Sequence, residues 1–196
     1  MKSAHLFIDY QNLHMSAHDR FAAIGAPIHD SLIHPALFAN RVQAVRNEFV
    51  YQAVEVTEIH VFRGQPSNKH DSQAAARNKA QAAEWTRDRR VTMHTRPLRY
   101  PLDPSEKPRE KGVDVMLAIS FIRAAMLKSC DTLILASRDT DLLPALETAH
   151  ELDHAIVEVA GWLGDTRLSF SNSGGRLWGT KLDEEEFKKS RDPREY

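Results

Sequence analysis

The sequence predicts an α/β fold in which a mostly parallel central sheet of about five strands is covered by helices on both faces. Three observations carry that expectation. Short apolar runs rich in branched residues recur at 4–9, 54–62, 91–98, 133–136 and 154–160. Helix-like stretches separate them, and this alternation is the pattern of parallel sheets. The first and fourth runs also break off into polar residues, Asp9-Tyr-Gln-Asn12 and Ser137-Arg-Asp139-Thr-Asp141. Open α/β sheets hold their ligands at the carboxyl ends of such strands.

Taken in order, Leu6-Phe7-Ile8 makes a buried first strand, with Asp9 at its end and Asn12 in the turn, where a plain helix N-cap is one reading. Residues 19–34 form an irregular excursion, and Pro35 opens a helix to about Tyr51 with Leu37, Phe38, Val42, Val45 and Phe49 on one face. Val54, Val56, Ile59 and Val61 mark the second strand, and the alanine-rich stretch 68–90 a helix. Three prolines within residues 99–108 require a loop. Lys111-Gly-Val-Asp114 opens a helix that is apolar nearly all round and is therefore expected to be buried. After the fourth strand, Asp141 is expected to cap a helix with Pro144 in its first turn. The expected organisation is one domain over residues 1–182 and a charged tail over 183–196, ending in a short helix and a frayed terminus.

With 196 residues, 42% hydrophobic and 27% charged, the chain has the make-up of an ordinary globular protein with a sizeable core. One cysteine, Cys130, excludes an internal disulfide and cysteine-based zinc sites. No signal peptide or membrane span is expected, so the expected location is the cytoplasm. The net charge of −1 hides an asymmetry: residues 63–111 hold twelve Lys/Arg against six Asp/Glu, and the rest fourteen against twenty-one. Such a block suits an anionic ligand such as nucleic acid, and equally a solvated helix and loop.

Asp9, Asp114, Asp139 and Asp141 are each expected at one edge of the sheet. Singly, a turn residue, a helix-dipole partner or a cap explains each of them. Jointly they would repel unless a cation sat among them. Hard oxygen ligands suit Mg²⁺ or Mn²⁺, which can activate a water for phosphodiester cleavage.

Ile8-Asp9-Tyr-Gln-Asn12-Leu13, Lys111-Gly-Val-Asp114-Val-Met-Leu-Ala and Ser137-Arg-Asp139-Thr-Asp141-Leu resemble the three signature blocks of NYN domains, in the family's order. Arg63-Gly-Gln-Pro66, Arg96-Pro-Leu-Arg-Tyr-Pro101 and Leu177-Trp-Gly-Thr-Lys-Leu182 are further similar to the LabA-like branch, so that the resemblance spans roughly residues 4–187. It implies a three-layer PIN-like, Rossmann-like fold and metal-dependent cleavage of RNA. Asp9, Asp114, Asp139 and Asp141 would hold the metal, with Asn12 supporting Asp9 or the bound water. Arg63, Arg96, Lys111, Ser137 and Arg138 are the candidate RNA contacts, and a homodimer is left open. Two positions depart from the family pattern: Ser120 stands where members usually carry aspartate, and Arg138 replaces a common glycine. Six residues of helix separate Ser120 from Asp114 and turn it some 120° away, so the missing aspartate reads as a supporting group rather than a direct ligand.

The competing reading is a catalytically weakened NYN-fold module that binds RNA or regulates. A haloacid-dehalogenase-like phosphatase would need an aspartate two residues after Asp9, where Gln11 stands. His14 and His18 lack the glutamate of a zinc-hydrolase helix, and Gly174-Gly175 lacks the lysine of a phosphate loop. Trp85, Trp162 and Trp178 read as packing residues, whereas Tyr10 and Tyr100 are candidates for stacking on bases.

Overall fold

The computed structural model describes residues 1–103, 105–170 and 177–196, which leaves Pro104 and the Gly174-Gly175 pair outside the described residues. Six parallel strands form the sheet: β1 (Lys2–Asp9), β2 (Val54–Gln65), β3 (Val91–Pro97), β4 (Thr132–Ala136), β5 (Ile156–Trp162) and β6 (Trp178–Leu182), in the order β3-β2-β1-β4-β5-β6. The sixth strand exceeds the five expected. It is a five-residue edge strand bonded only to β5, too short for its periodicity to stand out. Connections run outward from β1 in one direction and outward from β4 in the other, so the chain changes direction between these two neighbours. That crevice is the topological switch point.

Helices cover both faces. On one lie α1 (Tyr10–Phe21), α2 (Pro35–Phe49), α3 (Ser72–Trp85) and α6 (Glu184–Ser190), packed over Ala4, Leu6, Ile8, Ile59, Val61 and Ile134. On the other lie α4 (Val113–Met126) and α5 (Leu143–Glu151), over Phe7, Phe62, Leu133, Leu135, Val157 and Val159. β4 is buried at every residue, which explains its unbroken apolar run. A bulge adjusts β2: Ala4 pairs with Val56 but His5 with Glu58, leaving Thr57 out of register. The apolar spacing Val54, Val56, Ile59, Val61 carries that irregularity in sequence, because three residues rather than two separate the middle pair.

Two expectations need correcting. α4 buries the stripe Val113, Leu117, Phe121 and Ala125 yet exposes Val115, Ile119 and Met126, because the sheet and α5 cover only one of its sides. The terminus beyond α6 is not frayed. Asp192 donates its amide to Leu32 O (2.8 Å) and accepts from Trp85 Nε1 (2.6 Å) and Tyr196 OH (2.9 Å), while Arg194 pairs with Glu84 at 3.0 Å. An indole buried completely at Trp85 needs an acceptor, and the tail supplies it.

Among the described residues, one charged pair lies wholly inside. Arg46 of α2 makes a two-pronged contact with Glu158 of β5, Nε–Oε2 and Nη2–Oε1 both 2.7 Å, with side chains 1% and 3% exposed. Its third nitrogen, Nη1, donates to Gln52 O (2.8 Å).

Candidate functional site

At the crevice between β1 and β4, Asp9 ends β1 and caps α1. Its Oδ1 accepts from the Asn12 amide (3.2 Å) and its Oδ2 from Ser137 Oγ (3.0 Å). Ser137 Oγ in turn accepts from the Asp139 amide (3.1 Å), and Asn12 Oδ1 accepts from the Arg138 amide (3.1 Å). These bonds tie the first turn of α1 to the loop after β4, which fixes Asp9 and Asp139 relative to each other. Asn12 is therefore a brace between the loops rather than the cap, a role that falls to Asp9.

The third carboxylate arrives on α4. Gly112 precedes that helix with φ +72°, a conformation that L side chains rarely adopt, and Asp114 lies in its exposed first turn. A cavity of about 540 Å³ opens here, lined by Asp9, Asn12, Asp114, Asp139, Lys111 and Arg138 among others.

Glu110 lines it too, and sequence reasoning missed this residue. It closes the proline-rich loop, which is pinned by reciprocal amide–carbonyl bonds between Arg99 and Arg109 (2.9 and 3.0 Å). Its Oε1 accepts from the Gly64 amide at the end of β2. A Cβ on Gly64 would stand 2.3 Å from Leu98 Cδ2 and 2.8 Å from Glu110 Cγ, so glycine permits this approach. That glycine was the one available signal, and nothing in a single sequence says what approaches it.

Asp141 is placed differently from the rest. It sits exposed in a short 3₁₀ turn, Thr140–Leu142, and its amide donates to Asp139 Oδ1 (3.0 Å). The expected cap is thus corrected: Asp139 caps the turn, and α5 starts behind it with Pro144 in its first turn. Asp141 is not among the residues lining the cavity. Ser120 donates to Met116 O (2.8 Å) within its own helix.

Of the candidate RNA contacts, Lys111 and Arg138 line the cavity, and Arg96 lies 3.6 Å from where a Gly112 side chain would begin. Arg63 does not reach it. Its guanidinium packs over the rings of Tyr10 (4.8 Å) and Trp85 (5.4 Å) and donates to Gln81. Tyr10 is buried, with its hydroxyl given to Ile33 O (3.0 Å), and Tyr100 stacks on His70 at 4.2 Å while accepting from the Ser67 amide. Tyr10 is therefore no platform for bases, and one face of the half-buried Tyr100 ring is taken by His70. A cation from outside the 63–111 block joins Arg138: Arg20 and Arg138 share Asp165 Oδ1 (3.3 and 3.8 Å), a carboxylate only 5% exposed.

Electrostatically the site is strained towards a cation. Burial, followed by repulsion from Asp139 and Asp114, pushes the Asp9 carboxyl above its ordinary range despite its two hydrogen bonds. Glu110 is also raised, by burial first and then by Asp9 and Asp114. The oxygen-only donor set fits Mg²⁺ or Mn²⁺. Among the described residues these carboxylates do not close into a set of three within 4.8 Å of one another, so an ion held by all of them would need bridging waters.

An all-parallel doubly wound sheet with carboxylates at its switch point defines a class of α/β proteins that act on ligands at that edge. The NYN domain family model matches residues 3–172, and the chain belongs to that family, within the PIN-like nuclease superfamily. Among curated proteins the chain has no match. It is similar to the crystal structure of a protein of unknown function from Vibrio parahaemolyticus RIMD 2210633, at 17% identity, 85% coverage of each chain and a TM-score of 0.53, a likeness that shows the fold alone. No described helix is long and apolar enough to cross a membrane.

Proposed function

We propose that this chain is a metal-dependent ribonuclease of the LabA-like branch, cleaving RNA phosphodiester bonds with a water activated at the Asp9–Asp114–Asp139 cluster. The observation that carries the reading is convergence: three elements distant in sequence deliver carboxylates to one cavity at the switch point, where burial first, and then Asp139 and Asp114, hold Asp9 above its ordinary range. Asp9, Asp114 and Asp139 would hold Mg²⁺ or Mn²⁺, which when bound lowers the pKa of a coordinated water and neutralises phosphate charge. Ser137 and Asn12 keep Asp9 oriented, and Asp141 contributes its amide to Asp139 rather than a ligand. Glu110 supplies a further carboxylate close enough to Asp9 and Asp114 to feel their charge. Lys111 at the rim, Arg138, and Arg20 beside it in the Asp165 pairing are positioned to meet phosphates.

The test is cleavage of a mixed RNA pool in Mn²⁺. Asparagine caps a turn as well as aspartate does, so Asp139→Asn removes charge while keeping the cap. Loss of cleavage in the variant is the expected result. Equal activity in variant and wild type would mean a contaminating nuclease and end the proposal, while tight RNA binding with no cleavage by the wild type would favour the binding-module reading.

A further inference from the structure

A second cluster lies on the same side of the sheet as α4 and α5, towards the amino ends of the strands. We propose that His5, Glu58 and His60 form a site for Zn²⁺ or a similar borderline divalent ion, separate from the aspartate cavity. The chemistry is a two-histidine, one-carboxylate ligand set, which leaves a fourth position for water. His5 Nδ1 and His60 Nε2 approach the same oxygen, Glu58 Oε2, at 3.7 and 3.0 Å, and all three ligand atoms lie within 4.8 Å of one another. Separations of this size are those of ligand atoms that can share one ion at the ~2.0–2.2 Å of zinc–nitrogen and zinc–oxygen bonds.

The backbone builds this arrangement on purpose. Without the bulge at Thr57, Glu58 and His60 would continue the face of Val56 and point into the α1–α2 core. The extra residue reverses the alternation, turning Ile59 and Val61 inward and setting Glu58 opposite His5. Bulges are over-represented where a side chain must be re-aimed.

The surroundings hold the rings ready. His60 stacks on Phe7 at 4.6 Å, and its Nδ1 meets His94 Nε2 at 3.2 Å, so the nitrogen not facing Glu58 already has a partner. His94 is held in turn against Phe62 at 4.5 Å. A partner on the second ring nitrogen fixes the orientation of metal-binding histidines. Cys130 lies nearby but donates its thiol to Thr132 O and is pushed up to about 11, mainly by burial, which leaves it out of the set. Glu58 is half exposed, so an ion can enter from solvent.

From His5 to Asp9 is four residues of strand, roughly 13 Å, too far for the two sites to share an ion. The experiment is titration of the untagged chain with Co²⁺, which gives intense visible bands in tetrahedral nitrogen and oxygen sites, and with Zn²⁺ by calorimetry. One equivalent with tetrahedral Co²⁺ bands is expected. Glu58→Gln, an exposed change that leaves the core intact, and His60→Ala should each weaken Zn²⁺ binding at least about tenfold, and Asp139→Asn should not. Absence of binding, or binding unchanged in both Glu58→Gln and His60→Ala, overturns the inference. Because the aspartates are untouched, RNA cleavage by Glu58→Gln reports separately on the proposed ribonuclease.

Discussion

Asp9→Asn is expected to lower Mn²⁺-dependent RNA cleavage at least ~100-fold while making the metal-free protein more stable. The first half follows from the role proposed for Asp9 as a ligand, since even groups that merely support ligands cost about 10–100-fold when removed. The second half follows from the cavity. Asp9 is held above its ordinary range by burial first and then by Asp139 and Asp114, so its charge costs free energy in the folded state when no cation is present. Asparagine removes the charge, still accepts from the Asn12 amide, and presents an amide to Ser137 Oγ, which accepts as readily as it donates. A gain on the order of 1 kcal/mol, or about 2–4 °C in thermal midpoint, is expected in chelator. Excess Mn²⁺ should stabilise the wild type more than the variant. A variant that loses stability in chelator would show that the carboxylate serves packing and capping, not metal binding.

Glu158→Gln is expected to destabilise the fold by about 3–5 kcal/mol, with a fall in thermal midpoint on the order of 10 °C. The change keeps the shape of the side chain but leaves the Arg46 guanidinium, 1% exposed, with an uncompensated charge. Replacing both partners with apolar residues should cost far less, because it removes the desolvated charges together. The pair clamps α2 onto β5 far along the chain, so urea unfolding monitored by tryptophan fluorescence should stay one cooperative transition with a lower midpoint. A loss below about 1 kcal/mol for Glu158→Gln would mean that water reaches the pair.

Much of the architecture could be read in the chain. Leu6-Phe7-Ile8 and the run ending at Ala136 are unbroken because β1 and β4 lie at the centre of the sheet, buried on both faces. That same centrality brings Asp9 and Asp139 together, since strands that adjoin at a switch point end side by side. Long-range partners escaped. Glu110 lies in a loop without periodicity, and its place depends on Gly64, 46 residues earlier. Arg63 was expected among the RNA contacts, yet Tyr10, Trp85 and Gln81 enclose it, whereas Arg20 was unremarkable until the fold set it beside Asp165 with Arg138. Asp141 was expected to cap the helix, but Asp139 makes the cap, because a 3₁₀ turn precedes α5 and the cap belongs to that turn. The histidines His5, His60 and His94 belong to three strands, and only strand order and the bulge reveal their proximity.

The central claim is that the aspartate cavity holds a divalent ion, and anomalous scattering from a crystal soaked in Mn²⁺ measures it directly. A manganese peak is expected among Asp9, Asp114 and Asp139, with Glu110 within reach of its coordinated waters and Asp141 outside the ligand set. An empty cavity at saturating Mn²⁺, with the carboxylates instead paired to Lys111 or Arg138, would contradict it.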